Sequence, residues 1–368
     1  MENKKFIQNQ SKTATLLVNF GGPSTLNTVK PFLYNLFLDP TVLNFPFAFL
    51  YRKPLAWLIA NMRDMTSREM YKKIGSISPL IPITYLQAEK LQDHFHKNNL
   101  LIDVFVGFRY CRPLIKEALD KITNLGYEKL IILPLYPQYS FTTTGSVELI
   151  VNEWLGNLRH CEEQSDEAIS KCYEIASPSA RNDARKLELY FIKEWYNDSD
   201  YISSYVHLIE KALEHMDLRS TEIIFSAHSI PLFNVKNGDP YEKHIVETAK
   251  KIINALSWKK RWHISYQSKF GPIKWLEPGT DKVIEEIARR NQNANILLVP
   301  ISFVCEHVET IFEIGHLYRE IANKHGIKKF VRVPALNTDK YLIQALYNQV
   351  IGCLESNHMN IKEVLLTK

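Results

Sequence analysis

The chain has no CxxC pair, and its five cysteines (Cys111, Cys161, Cys172, Cys305 and Cys353) are odd in number. That argues against a disulfide framework and fits a reducing cytoplasm better than an oxidising compartment. The first twenty residues, MENKKFIQNQSKTATLLVNF, hold only a short apolar run and do not read as a signal peptide. The most apolar stretch, VLNFPFAFLYRKPLAWLIANM at 42–62, is split by Arg52 and Lys53 and broken by Pro46 and Pro54. It therefore cannot be a spanning helix of ~20 apolar residues. No basic run exists either. The 45 Lys and Arg against 40 Asp and Glu give +5, spread along the chain, so nucleic acid is not an expected partner. There is no P-loop and no GxGxxG, and NFGGP at 19–23 lacks the spacing for a dinucleotide.

What is present is an ordinary globular composition, 45% hydrophobic and 23% charged, in a chain of 368 residues. That length exceeds the ~250–300 residues over which one core keeps growing, so two lobes are expected. Strand-like runs at 13–20, 101–110, 129–137, 222–227, 262–268, 295–303 and 329–334 alternate with helical patterns such as PLIKEALDKITNLG and DKVIEEIARRNQ. The alternation predicts an α/β fold with parallel sheets. The halves also rhyme in order: LLVNFGGPST with IIFSAHSIPL, VFVGFRYCRP with ISYQSKFGP, LIILPLYPQYS with NILLVPISF. Two related, doubly wound, Rossmann-like lobes around a central cleft follow, one over 1–150 and one over 185–335, with a helical tail over 336–368. Between the lobes, LRHCEEQSDEAISKCYEIASPSARNDA at 158–184 is polar and has no counterpart in the repeat. It resembles peptides encoded by palindromic repeat elements inserted in frame, and reads as a surface insert. Its flanks VNEWLGN and KLELYFIKEWY both read as helical. Zinc ligation by His160, Cys161 and Cys172 would lack a fourth ligand and a standard spacing.

Open parallel sheets bind ligands beyond the carboxyl ends of their strands. Asn19, Arg109, Tyr136 and His228 fall at such ends. The loop after His228 is anchored by a helix start in NGDPYEKH, with Asp239 as N-cap, Pro240 in the first turn and Glu242 at the capping-box position. A neutral imidazole held there can accept a proton or bind a metal, though a lone strand-end histidine is more often structural. In VPISFVCEHVETIFEIGHLYREI, Glu306, Glu309, Glu313 and Glu320 would share an arc of about 60° on a regular helix. Such a ladder is either a solvated acidic face or a path for a hydrated divalent cation. Phe47, Phe49 and Trp57 beside Arg52 and Lys53 have the composition of an interfacial membrane contact over 42–60.

Taken together, LLVNFGGPSTLNTVKPFLYNLFLDP, KKIGSISPL, VFVGFRY, LPLYPQYSFTTTGS, FSAHSIPLFNVKNGDPY, YQSKFGPIKWLEPGTD and VPISFVCEHVETIFEI resemble the ferrochelatase family, in order, from about residue 14 to 350. The resemblance implies a chelatase-like pair of lobes and insertion of Fe2+ into a porphyrin. Iron is then a substrate, and no organic cofactor is required. It places the family histidine on His228 and the key glutamate on Glu309, as catalytic groups and metal contacts, with Glu306 and Glu313 on a proton or metal path. Phe20, Arg63, Ser78, Arg109, Tyr110 and Trp275 fall on substrate-binding positions. Partners are then porphyrin and ferrous iron, in the cytoplasm, with the 42–60 lip available for peripheral contact with the inner membrane. Relatives carry Ser-Asp where this chain has Cys305-Glu306, which puts a metal role for Glu306 in question. With only Cys353 near the end, no [2Fe–2S] cluster is expected. Protoporphyrin IX is the implied substrate. A chelatase for coproporphyrin III or another tetrapyrrole, and a non-catalytic tetrapyrrole-binding protein, stay open as alternatives.

Overall fold

A computed structural model describes residues 11–42, 48–157, 185–269, 271, 273–355 and 362–366. The proposed insert and its His160, Cys161 and Cys172 lie outside these residues.

The first sheet is built from β1 (Thr13–Asn19), β2 (Ile102–Phe108), β3 (Lys129–Pro134), β4 (Arg185–Phe191) and β9 (Lys362–Leu366), in the order β2-β1-β3-β4-β9. The second contains β5 (Thr221–His228), β6 (Trp262–Gln267), β7 (Asn295–Pro300) and β8 (Lys329–Arg332), in the order β6-β5-β7-β8. All pairings are parallel except that of β9 with β4. Central strands covered on both faces are largely apolar, and every residue of β1 is buried, Thr13, Thr15 and Asn19 included. All seven strand-like runs of the sequence become strands, and the expected two-lobed α/β architecture is found.

Helices α1 (Val29–Leu38) and α2 (Ala48–Lys73) precede β2, together with α3 (Leu80–Lys97). In the first lobe α4 (Ile115–Asn124) and α5 (144–157) cover the outer face. In the second, α6 (Ser199–Leu213), α7 (Leu232–Lys236) and α8 (Tyr241–Ala255) precede β6, and α9 (Thr280–Arg290) precedes β7. A π-helical segment, Glu309–Leu317, leads into α10 (Tyr318–Lys324), and α11 (Lys340–Glu355) follows β8. One core of residues from β1, β3, β5, β7, α3, α6, α8 and α11 runs through both lobes, so the sheets share their inner helical layer.

Three expectations are corrected. KLELYFIKEWY, read as helical, supplies β4. Its buried Leu187 and Leu189 flank half-buried Glu188, the period of a strand, and pairing with β3 decides the state. Residues 185–191, expected in the second lobe, therefore belong to the first sheet. The tail over 336–368 is helical only in α11, because β9 adds an antiparallel strand to β4. Asp239 does not cap α8 through a box with Glu242. The Asp239 N–H donates to the Asn234 carbonyl, and its carboxylate accepts from Tyr241 N–H at 3.1 Å, Ser140 Oγ at 2.8 Å and Phe141 N–H at 2.9 Å. The residue thus ties the second lobe to the loop after β3.

Candidate active site

β5 delivers His228 to its carboxyl end. The His228 N–H donates to Ser302 Oγ at 3.0 Å, and Nδ1 lies 2.6 Å from the carbonyl oxygen of Ser229. Nδ1 must therefore carry the hydrogen, which leaves the Nε2 lone pair for the cleft. Nε2 sits 3.8 Å from Glu309 Oε2. The same oxygen lies 3.7 Å from Nε2 of His307, whose Nδ1 is 3.1 Å from the Cys305 carbonyl. Glu309 Oε2 is sealed from solvent and has no hydrogen-bond partner. A buried carboxylate oxygen in that condition is costly unless a proton or cation joins it, and two imidazoles stand ready beside it. Burial acts to raise the Glu309 carboxyl, but the pull of His228 and His307, whenever these imidazoles hold a second proton, outweighs it and lowers it to about 2.

Glu309 opens the π-helical segment, whose i→i+5 bonding is rare and concentrates at functional sites. Glu313 lies on the same segment. Its carboxylate accepts from Ser268 N–H at 3.0 Å, Ser268 Oγ at 2.6 Å and the Tyr318 hydroxyl at 3.2 Å. Burial, then the charge of Glu309, raises its carboxyl above the usual range. Two neighbouring carboxyls pushed in opposite directions suit one that stays ionised and one that takes up and passes on protons.

The four-carboxylate face does not form. Glu306 precedes the π segment and is turned into the protein, where Oε1 pairs with Arg332 Nη1 at 2.6 Å and accepts from Ala335 N–H at 3.0 Å. Its other oxygen accepts from Thr310 Oγ1. Glu306 is a brace under the segment rather than a step on a path. Glu320 is exposed and lies 3.3 Å from His316.

The facing wall comes from the first lobe. Phe20 meets Tyr110 edge to face at 4.6 Å, and the Arg109 guanidinium lies 5.0 Å from the Tyr110 ring centre. Arg109 pairs with Asp39 Oδ2 at 2.6 Å, and its Nε donates to Ser146 Oγ at 3.3 Å. Tyr110 is only 2% exposed and its hydroxyl donates to Asp39 at 2.6 Å, so it backs the wall instead of facing the cleft. Ser78 is buried and its N–H donates to the Pro23 carbonyl at 3.0 Å. Half-buried Arg63 sits on α2, and half-buried Trp275 bridges to Pro231 directly after β5. The lobes close on each other where Val308 packs against the Phe20 cluster and Lys73 lies 5.2 Å from the Phe312 ring.

Sequence reasoning missed His307, Asp39 and Ser268. His307 stood two residues before Glu309 in CEHVET, and Asp39 stood in LFLDP, but neither spacing said what they would touch. Ser268 meets Glu313 across 45 residues and adopts a positive φ of 63°, neither of which the sequence displays.

Comparison with known proteins gives the family. The Ferrochelatase family model matches residues 12–352. A ferrochelatase of Synechococcus elongatus is 38% identical over 96% of this chain and 86% of its own length. One of Trichodesmium erythraeum is 39% identical over 97% and 87%. Among solved structures, SirB from Bacillus subtilis with Fe3+ superposes with a TM-score of 0.52 at 10% identity, over 94% of this chain and 96% of that one, which speaks for the shared fold alone. A match of this length, with relatives of this identity, means that the chain belongs to the ferrochelatase family, metal chelatases that insert a metal ion into a porphyrin.

Proposed function

We propose that the chain inserts Fe2+ into protoporphyrin IX to give protohaem. Iron stays ferrous and two pyrrole N–H protons leave, so the step needs proton acceptors but no electron carrier and no organic cofactor. The observation that carries the reading is the pair His228 Nε2 and Glu309 Oε2, 3.8 Å apart on the second lobe's side of the site, one with a free lone pair and the other with an unpartnered oxygen. His228 takes a pyrrole proton, Glu309 meets the metal or the second proton, and Glu313 relays charge away. The walls around Phe20 and Trp275, with Arg63, Ser78 and Arg109, hold the ring, and a bent ring is favoured over the flat one. Anaerobic titration with Fe2+ and protoporphyrin IX tests this. Turnover to protohaem supports it, whereas faster turnover of coproporphyrin III, or tight binding without metal insertion, overturns it.

The reading extends to a cytoplasmic enzyme that collects its apolar substrate at the inner membrane surface. Support comes from α2, where Leu50, Tyr51, Trp57, Leu58, Met62 and Met65 are all exposed and fall within an arc of about 140°. Phe47 and the side chain of Phe49 lie outside the described residues. No described helix is long and apolar enough to cross a membrane. Flotation with anionic vesicles at low salt is the test, and a protein that stays wholly with the soluble fraction contradicts the contact.

A further inference from the structure

At the amino end of the second sheet, opposite the active site, the surface folds into a concavity of about 650 Å³. Thr221 opens β5 at this end and His228 closes it at the other, about 23 Å away along the strand. Arg219, Lys259, Lys260 and Arg261 line the concavity, with Trp262 and Asn291. We propose that it is a binding site for a small phosphate-bearing anion, formed independently of the porphyrin cleft.

Charge accounting supports this. The carboxylate in the lining, Glu222, is already occupied: Arg290 Nη2 reaches its two oxygens at 2.7 and 2.6 Å, and His263 Nε2 lies 2.7 Å from one of them. Asp217 in the adjoining turn accepts from the Arg219 N–H at 3.0 Å and from Ser220 Oγ at 2.8 Å, and so spends its oxygens on the turn that carries Arg219. With Glu222 paired to Arg290, Asp217 is the carboxylate that still acts on Arg219 and Lys260, so the four lining cations keep a net positive charge that an incoming anion would offset, and a guanidinium grips two phosphate oxygens at once.

The cations also start from fixed backbone. The Arg261 carbonyl accepts from Ile223 N–H and from Trp258 Nε1, both at 3.4 Å, and Lys260 Nζ donates to the Leu218 carbonyl. Anchoring both loops before the ligand arrives lowers the ordering cost of binding. The volume lies within the range of small-molecule sites, and the polar lining selects a charged ligand over an apolar one.

The test is calorimetric titration of the full-length protein with sodium triphosphate, at low and at physiological salt. Saturable one-to-one binding with a Kd below about 1 mM is expected. The double variant Arg219→Ser/Arg261→Ser should weaken it about 10–100-fold. Lys90→Ser, on the exposed face of α3, should leave it unchanged, and iron insertion should be unaffected in both variants. In the unmodified protein, triphosphate should slow amide exchange over 217–221 and 258–263. That arm stands even if the double variant fails to fold. Lack of saturation, wild-type binding by the double variant, or protection confined to the porphyrin cleft overturns the site. Tighter binding of a short oligonucleotide at the same residues would overturn the small-anion assignment in favour of a polymer surface.

Discussion

The two lobes repeat one strand order, β2-β1-β3-β4 against β6-β5-β7-β8, so β1 and β5 occupy the same place. They end differently. At the end of β1, Asn19 Nδ2 donates to Thr84 Oγ1 at 2.9 Å and to Cys305 Sγ at 3.5 Å, while Oδ1 accepts from the Phe20 N–H at 2.8 Å. Each polar atom of that side chain is matched. At the end of β5, His228 has one nitrogen fixed and the other turned to an unpartnered carboxylate oxygen. Identical topology supplies two equivalent strand ends. The end whose polar groups are left unmatched is the one proposed for the chemistry, and the matched end becomes a joint between the lobes.

The sharpest way to break this comparison is to exchange the roles. His228→Ala and Glu309→Gln should each lower kcat by about 10²–10⁴-fold without a lower melting temperature. Asn19→Ala should do the reverse, with activity largely kept and stability reduced by about 1–3 kcal/mol. Urea midpoints and single-turnover iron insertion measure both, and a wild-type rate in His228→Ala would end its assignment. Next in size, Glu306→Gln removes the charge beneath the π segment and leaves Arg332 poorly matched. A stability loss of about 3 kcal/mol is expected, with the Fe2+ dependence of the rate retained. If activity disappears while the fold holds, Glu306 belongs on the metal path after all.

Glu309 and Glu313 should respond oppositely to pH. The Glu309 carboxyl is lowered to about 2, so its contribution to stability is present above the ordinary carboxyl range and is lost as pH falls toward that value. The Glu313 carboxyl is raised, so the folded state holds its proton longer than the unfolded chain, and stability falls as pH rises above the ordinary range. Urea midpoints from about pH 4 to 8 should therefore decline less in Glu313→Gln than in the wild type. An unchanged slope would show that Glu313 is not the group responsible. The smallest effect is expected for Glu320→Gln. Its exposed contact with His316 should leave rate and melting within error of wild type, and an effect equal to that of Glu309→Gln would reduce the segment to bulk charge.

Most of the fold was legible because buried parallel strands are continuous apolar runs and their helices carry a helical apolar period. β4 was misread because five residues of LELYF fit a helix nearly as well as a strand, and its partner β3 lies more than fifty residues earlier. His228 and Glu309 were singled out by the resemblance, and the structure brings them within 3.8 Å of each other. The regular helix drawn through Glu306, Glu309, Glu313 and Glu320 was not what formed, because i→i+4 spacing assumes α geometry that the π segment abandons.

The sequence by itself determined the alternation of strands and helices, the repeat of two lobes and the placing of an imidazole at the end of an apolar strand, since these follow from local periodicity and order along the chain. Only the tertiary structure decided which carboxylates stay unmatched. Glu306 met Arg332, Glu313 met Ser268, and Glu309 met His228 and its near neighbour His307. Arg332, Ser268 and His228 come from segments distant in the chain, and the state of a buried charge is set by its neighbours in space as well as its neighbours in sequence.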